Sequence, residues 1–175
     1  MNITVINGSP RRNGNTEIMV DEFIKGAKEN GHDVTKINLA GKKIAGCLGC
    51  QYCFSNDGAC IQKDDMYDIL EVLDKTDMVV FASPIYWFYM TSQIKAMIDR
   101  MYARGKKGFH FNKTALLLDA GAEGVFDSSV AQYKMTCNYL KWENKGIITI
   151  GGMKHKGDMS KDPRLIECYE LGNSI

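Results

Sequence analysis

Apolar positions along the chain fall into short continuous runs that alternate with longer stretches of helical period. Ile3-Thr4-Val5-Ile6 is short, partly β-branched and ends at Gly8, the pattern of a buried strand. From Thr16 to Lys28, the residues Ile18, Met19, Phe23, Ile24 and Ala27 share one helical face, and Asn30-Gly31 stops that helix. Val34, Ile37 and Leu39, interleaved with Thr35, Lys36 and Asn38, predict a second and more exposed strand. A loop with four cysteines follows. Asp64-Asp65 then open a helix carrying Ile69, Leu70 and Leu73, where acidic residues suit the helix dipole.

Met78-Val79-Val80-Phe81-Ala82 is another continuous apolar strand, closed by Ser83-Pro84. Next come a helix through Ile94, Met97, Ile98 and Met101, a strand at Ala115–Leu118 and a helical stretch at Val130–Leu140. A strand at Ile147–Ile150 and a short terminal helix after Pro163 complete the series. Five strands alternating with helices predict an α/β fold: parallel βαβ units in one doubly wound sheet with helices on both faces, as one domain over 1–175. Such a sheet holds its ligand beyond the carboxyl ends of the strands, where the strand order reverses. Three loops therefore matter: Gly8–Asn15, Ser83–Met90 and Ala120–Val125.

Composition narrows the function classes. A chain of 175 residues suits one domain and can bury roughly 70% of its unfolded surface. Its 22 basic and 21 acidic residues leave a net charge of +1, which gives no electrostatic case for a nucleic-acid partner. No apolar run approaches the roughly 20 residues that span a bilayer. The start, Met1-Asn2-Ile3-Thr4-Val5, has no basic region ahead of an apolar stretch, so no signal peptide is expected and the expected location is the cytoplasm. In such a setting clustered cysteines point to metal, cluster or redox chemistry more than to disulfides.

The first loop, Gly8-Ser9-Pro10-Arg11-Arg12-Asn13-Gly14-Asn15-Thr16, suits a phosphate. Its glycines allow close backbone approach. Ser9, Asn13, Asn15 and Thr16 supply side-chain donors, and the helix start adds free N–H groups. A Walker loop is excluded, because Gly14 comes one residue late and Asn15 stands where lysine belongs. Ser9-Pro10 likewise breaks the dinucleotide fingerprint. The plainer alternative is a polar loop with an Asn cap.

The second loop, Ser83-Pro84-Ile85-Tyr86-Trp87-Phe88-Tyr89-Met90, places an aromatic run at the mouth of the sheet. Such a run can cover a planar heterocycle, while backbone N–H groups meet its polar edge. By itself it would equally suit an interface patch. Beside a phosphate loop, it describes a mononucleotide site.

With Lys95-x-x-x-Asp99-Arg100, these two loops resemble the NAD(P)H-dependent FMN reductase branch of the flavodoxin-like superfamily, over nearly the whole chain. The resemblance implies a five-stranded sheet in the order 2-1-3-4-5. It implies FMN phosphate held by Ser9, Arg11, Asn13, Asn15 and Thr16. It also implies an isoalloxazine along Pro84, Ile85, Tyr86, Trp87 and Phe88, with the Gly121 loop on its far side. NAD(P)H as donor, a small redox acceptor, and a homodimer or homotetramer belong to the same implication. The flavin would carry the chemistry, so no catalytic side chain is assigned.

Cys47, Cys50, Cys53 and Cys60 form C-x2-C-x2-C-x6-C ahead of Asp64-Asp65-Met66. This resembles the iron–sulfur flavoproteins of the same superfamily, which implies a [4Fe–4S] cluster beside FMN and ferredoxin-like partners. Three cysteines at this spacing can wrap a cubane, and Gly58 would let Cys60 return as the fourth ligand. The spacing departs from the ferredoxin run, and unmetallated thiols, zinc or a disulfide are the other readings. Cys137 and Cys168 read as buried apolar side chains. His32, His110 and His155 lack metal-ligand spacing, and Lys154-His155-Lys156 reads as a solvated basic patch, with a site for an NADPH phosphate as the other reading.

Overall fold

The computed structural model describes all residues from Met1 to Ile175. Six strands form: β1 (Asn2–Asn7), β2 (Asp33–Asn38), β3 (Met78–Tyr86), β4 (Tyr89–Met90), β5 (Lys113–Asp119) and β6 (Glu143–Ile150). Between them run α1 (Asn15–Glu29), α2 (Tyr52–Ser55), α3 (Met66–Leu73), α4 (Ser92–Arg100) and α5 (Asp127–Leu140), and α6 (Ile166–Asn173) ends the chain. Five strands pair in parallel in the order β2-β1-β3-β5-β6. Counting those five alone, this is the expected 2-1-3-4-5. No helix is long and apolar enough to cross a membrane.

Alternation along the strands explains why the apolar runs are continuous. Val79 and Phe81 turn to one face, while Met78, Val80 and Ala82 turn to the other. Helices α1 and α6 cover the second face through Met19, Val20, Phe23, Ala27 and Cys168. Helices α3, α4 and α5 cover the first through Ile69, Leu73, Ile94, Met97 and Tyr133. A sheet buried on both sides leaves no polar face to alternate with.

Gly26 and Gly172 let α1 and α6 meet. A Cβ on Gly26 would overlap the Tyr169 carbonyl oxygen, and one on Gly172 would overlap that of Phe23. Backbone thus packs on backbone where side chains would hold the helices apart.

Two elements depart from the sequence reading. Strand β3 does not close at Ser83-Pro84 but runs on to Tyr86, because Pro84 sits at the register position opposite Asp119, near the end of the ladder. It then folds back, pairing Ile85 with Met90 and Tyr86 with Tyr89. The two-residue turn is Trp87-Phe88, with φ of 50° and 68°. Positive φ at both positions is the type I′ geometry, ordinarily filled by Asn-Gly. Nothing in the residues Trp-Phe announces it.

Candidate functional site

The strand order reverses between β1 and β3, and the loops leaving them touch. The Gly8 N–H donates to the Ala82 carbonyl at 2.8 Å, and the Thr91 hydroxyl donates to the Gly8 carbonyl at 2.7 Å. A Cβ on Gly8 would stand 2.7 Å from Ile94 Cβ, so only glycine permits this contact with α4. Beyond these loops opens a cleft of about 190 Å³. Ser9, Arg11, Asn15, Thr16, Pro84, Ile85, Tyr86 and Gly121 all border it. Asn13, Trp87 and Phe88 do not. Asn13 turns its N–H to the Glu17 carboxylate at 2.5 Å, and Trp87 stands 91% exposed at the hairpin tip.

Within the phosphate loop, Ser9 organises the turn. Its hydroxyl accepts from the Arg11 N–H at 3.2 Å, and its N–H donates to Asn7 Oδ1. Helix α1 starts on Gly14 with no side-chain cap, which sets aside the Asn-cap alternative and leaves its first-turn N–H groups without side-chain partners where Gly14, Asn15 and Thr16 border the cleft. Asn15 is engaged elsewhere. Its amide donates to the His155 carbonyl at 2.9 Å, and its oxygen accepts from the N–H groups of Gly157 and Met159. It is a clasp on the loop after β6 rather than a free donor.

That clasp draws in residues the sequence reading set aside. Lys154 and Lys156 border the cleft, facing the same space as Arg11. Lys154, His155 and Lys156 are all exposed, in keeping with a solvated basic patch, and what the sequence hid, across more than 130 residues, is that two of them also border this cleft. Asp119, also unforeseen, lies in the cleft wall, where Thr16 Oγ1 donates to it at 2.5 Å. Burial pushes the Asp119 carboxyl up to about 6, against the opposing effects of Thr16 and Arg11.

The four cysteines gather around a second pocket, of about 230 Å³, with Leu48, Ile61 and Arg100. All four thiols are free. Positive φ at Gly49, Gln51, Asp57 and Gly58 winds this loop tightly, and the Gly49 N–H donates to Cys47 Sγ at 3.5 Å. No three His, Cys, Asp or Glu side chains are drawn together closely enough for one metal ion. A cubane meets its four thiolates through four separate irons, so its ligands stand farther apart than those of one ion.

Asp64 and Asp65 stand at the start of α3 as expected, and the Met66 N–H there donates to Asp64 at 3.2 Å, but both acids also reach back to the segment ahead of the cysteines. Asp65 makes no side-chain cap and instead accepts from the Lys43 N–H at 2.6 Å. Asp64 accepts from the Ala45 N–H at 3.0 Å and pairs with Arg100 at 2.7 Å. Burial works to raise the Asp64 carboxyl, but Arg100 and the N–H groups of Ala45 and Met66 outweigh it and hold it below its ordinary value.

A further cavity, about 440 Å³ between α4 and α5, is lined by aromatic residues such as Phe81, Tyr133 and Trp142 and borders neither the phosphate loop nor the cysteines.

Comparisons with known proteins agree with this geometry. Residues 1–151 match the family model of NADPH-dependent FMN reductases. An iron–sulfur flavoprotein of Methanosarcina thermophila is 30% identical over 165 residues, covering 93% of this chain and 84% of that protein. One from Archaeoglobus fulgidus is 39% identical over 100 residues, which are 57% of this chain and 45% of that protein. The chain thus matches less than half the length of that second relative. Among solved structures, an NAD(P)H:quinone oxidoreductase from Methanothermobacter marburgensis superposes with a TM-score of 0.78 at 18% identity, over 99% of this chain and 95% of that one, which bears on the fold alone. With loop, cleft and sheet order in agreement, the chain belongs to the NADPH-dependent FMN reductase family of flavin oxidoreductases.

Proposed function

We propose that this chain holds one FMN at the switch-point cleft and passes reducing equivalents from NAD(P)H to a small acceptor. The observation that carries the reading is the meeting of the Ser9–Thr16 loop with Pro84, Ile85 and Tyr86 around one cleft. Uncapped N–H groups of α1, with Arg11, Lys154 and Lys156, would hold the phosphate. A cleft of about 190 Å³ is smaller than the ~300–1,000 Å³ typical of ligand pockets. It therefore suits the phosphate and ribityl end, leaving the ring over Ile85 and Tyr86, open to a donor and an acceptor. When bound, FMN supplies the hydride and electron chemistry. Equilibrium titration tests this: about one FMN per chain is expected, with FAD weaker because its pyrophosphate lacks the terminal dianion. FAD binding more tightly than FMN would overturn the assignment.

The cysteine pocket favours a second reading, single-electron exchange with a ferredoxin-like partner. Four free thiols around one pocket, an N–H donor to sulfur and a buried guanidinium beside them suit a [4Fe–4S] cluster. The two readings separate on whether NAD(P)H bleaches bound flavin at a useful rate. Assembly into dimers or tetramers would cover the exposed hairpin tip, and sedimentation of the flavin-loaded protein would measure it.

A further inference from the structure

Arg100 is the largest fully buried side chain of the protein, at 2% exposure. Its ordinary neighbours account for only part of it. One terminal nitrogen donates to the Ala45 carbonyl at 2.9 Å and to Asp64 Oδ2 at 2.7 Å, and the other donates to Asp64 Oδ1 at 3.0 Å. These bonds tie both ends of the cysteine loop to α4. The Nε–H is buried and has no partner anywhere in the chain. A buried donor without an acceptor carries a desolvation cost, and such a group calls for an explanation. Arg100 lines the pocket that all four cysteines share, and the Cys60 sulfur faces its guanidinium.

We propose that Arg100 is a positioning residue of the cysteine site, whose unpartnered Nε–H donates to the Cys60 sulfur and so sets the reduction potential of the cluster held there. The inference rests on the reading of Cys47, Cys50, Cys53 and Cys60 as cluster ligands. Its physical basis is charge. Thiolate ligands gather negative charge in a partly buried pocket, and a fixed cation with a donor to one sulfur favours the more reduced, more negative state. Arginine suits this role better than lysine, because its planar fork can hold Asp64 with two nitrogens and still present a third.

The test uses FMN-loaded protein reconstituted anaerobically with iron and sulfide. Arg100→Lys keeps a positive charge near Asp64 but removes the Nε–H. A second variant, Arg100→Met with Asp64→Leu, removes the pair together and strands neither charge. FMN content reports whether each variant has folded, since the flavin loops use neither residue. The cluster midpoint is read by electron paramagnetic resonance during a redox titration. Folded variants that keep iron should be harder to reduce, by about a tenfold change in the one-electron equilibrium, or ~59 mV. Clusters with the wild-type midpoint in both variants would overturn the inference and leave the cluster reading intact. Loss of iron from both, with FMN retained, would make Arg100 only an anchor of the loop and also overturn it. Wild-type protein that takes up no iron would instead remove the cluster reading itself.

Discussion

Thr16 and Asp119, 103 residues apart, are joined by a hydrogen bond of 2.5 Å across the wall of the cleft. Thr16 is 1% exposed and Asp119 is 5% exposed, so the bond is shielded from water. It places a carboxyl beside the loop whose charge and dipole favour an anion. With Asp119 ionised, that carboxylate and a phosphate would repel one another. With Asp119 protonated, they would not.

Stability and FMN affinity should therefore depend on pH through Asp119. Its folded-state value is raised from 3.8 to about 6 by burial. A raised carboxyl contributes stability that is fully present below about 4 and lost as the pH rises through about 6. The cost of the ionised form above that range is ~3 kcal/mol. Asp119→Asn, which still accepts from Thr16, should stabilise the apoprotein at pH 8 and change little at pH 4. It should also raise FMN affinity at pH 8 while leaving riboflavin binding nearly constant. Thermal melts and flavin titrations at the two pH values check both statements, and equal effects at both would remove Asp119 from the account.

Thr16→Ala and Asn15→Ala should differ, although both were expected to be phosphate donors. Thr16→Ala removes a hydroxyl that Asp119 holds and that a phosphate would have to win from it, and should weaken FMN by ~0.5–1.5 kcal/mol, with riboflavin unaffected. Asn15→Ala releases three hydrogen bonds to the 155–159 segment. It should loosen Lys154 and Lys156, speed amide exchange in that segment and weaken FMN indirectly. Hydrogen exchange that is unchanged in Asn15→Ala would show that the clasp does not hold the lysines.

Much of this arrangement was legible in the sequence. The strands announced themselves because a sheet covered on both faces needs unbroken apolar runs, as at Met78–Ala82. Gly8 and Pro84 marked the loops that meet at the switch point. What stayed hidden depends on tertiary proximity. Asp119 looks like an ordinary polar end to an apolar strand, and only register beside Pro84 brings it to the cleft. Asp64 reads as an acid at the start of α3, and nothing in the sequence shows that, besides the Met66 N–H there, it holds Arg100 from α4 and the backbone of 45. Trp87-Phe88 carries no turn signal, because the strands on either side impose the turn on residues that disfavour it.

That imposed turn should be costly. Bulky residues at positive φ cost on the order of 1–3 kcal/mol each, and such strain gathers at ligand clamps. Trp87→Asn with Phe88→Gly installs the preferred turn pair and should raise stability by ~1–2 kcal/mol. The Phe88 carbonyl still accepts from Ser129 at 3.1 Å, so the hairpin stays anchored. If the tip serves the flavin or its redox partner, turnover with NAD(P)H should fall while stability rises. Chemical denaturation and steady-state assays on the same preparation separate the two effects.

Gly172→Ala tests packing far from the cleft. The new methyl group would meet the Phe23 carbonyl oxygen where α6 crosses α1. Forcing the helices apart should cost ~1–3 kcal/mol. A melting temperature lowered by roughly 5 °C, with FMN affinity unchanged, is the expected outcome.

The last prediction separates the two cofactor sites. The cysteine pocket and the flavin cleft share no lining residue. Anaerobically reconstituted protein should carry about four irons and four sulfides per chain. Exposure to air should strip them while FMN stays, since Cys47 and Cys50 are exposed to solvent. Cys50→Ala should abolish the iron and leave a yellow protein with wild-type FMN affinity. Cys168→Ala is the matching control: its thiol is buried against α1, and burial pushes it up to about 12, where it is inert. It should keep both cofactors. Less than about one iron per chain in the wild type would leave these thiols without a cluster. Loss of FMN together with iron in Cys50→Ala would show instead that the cysteine loop supports the flavin cleft.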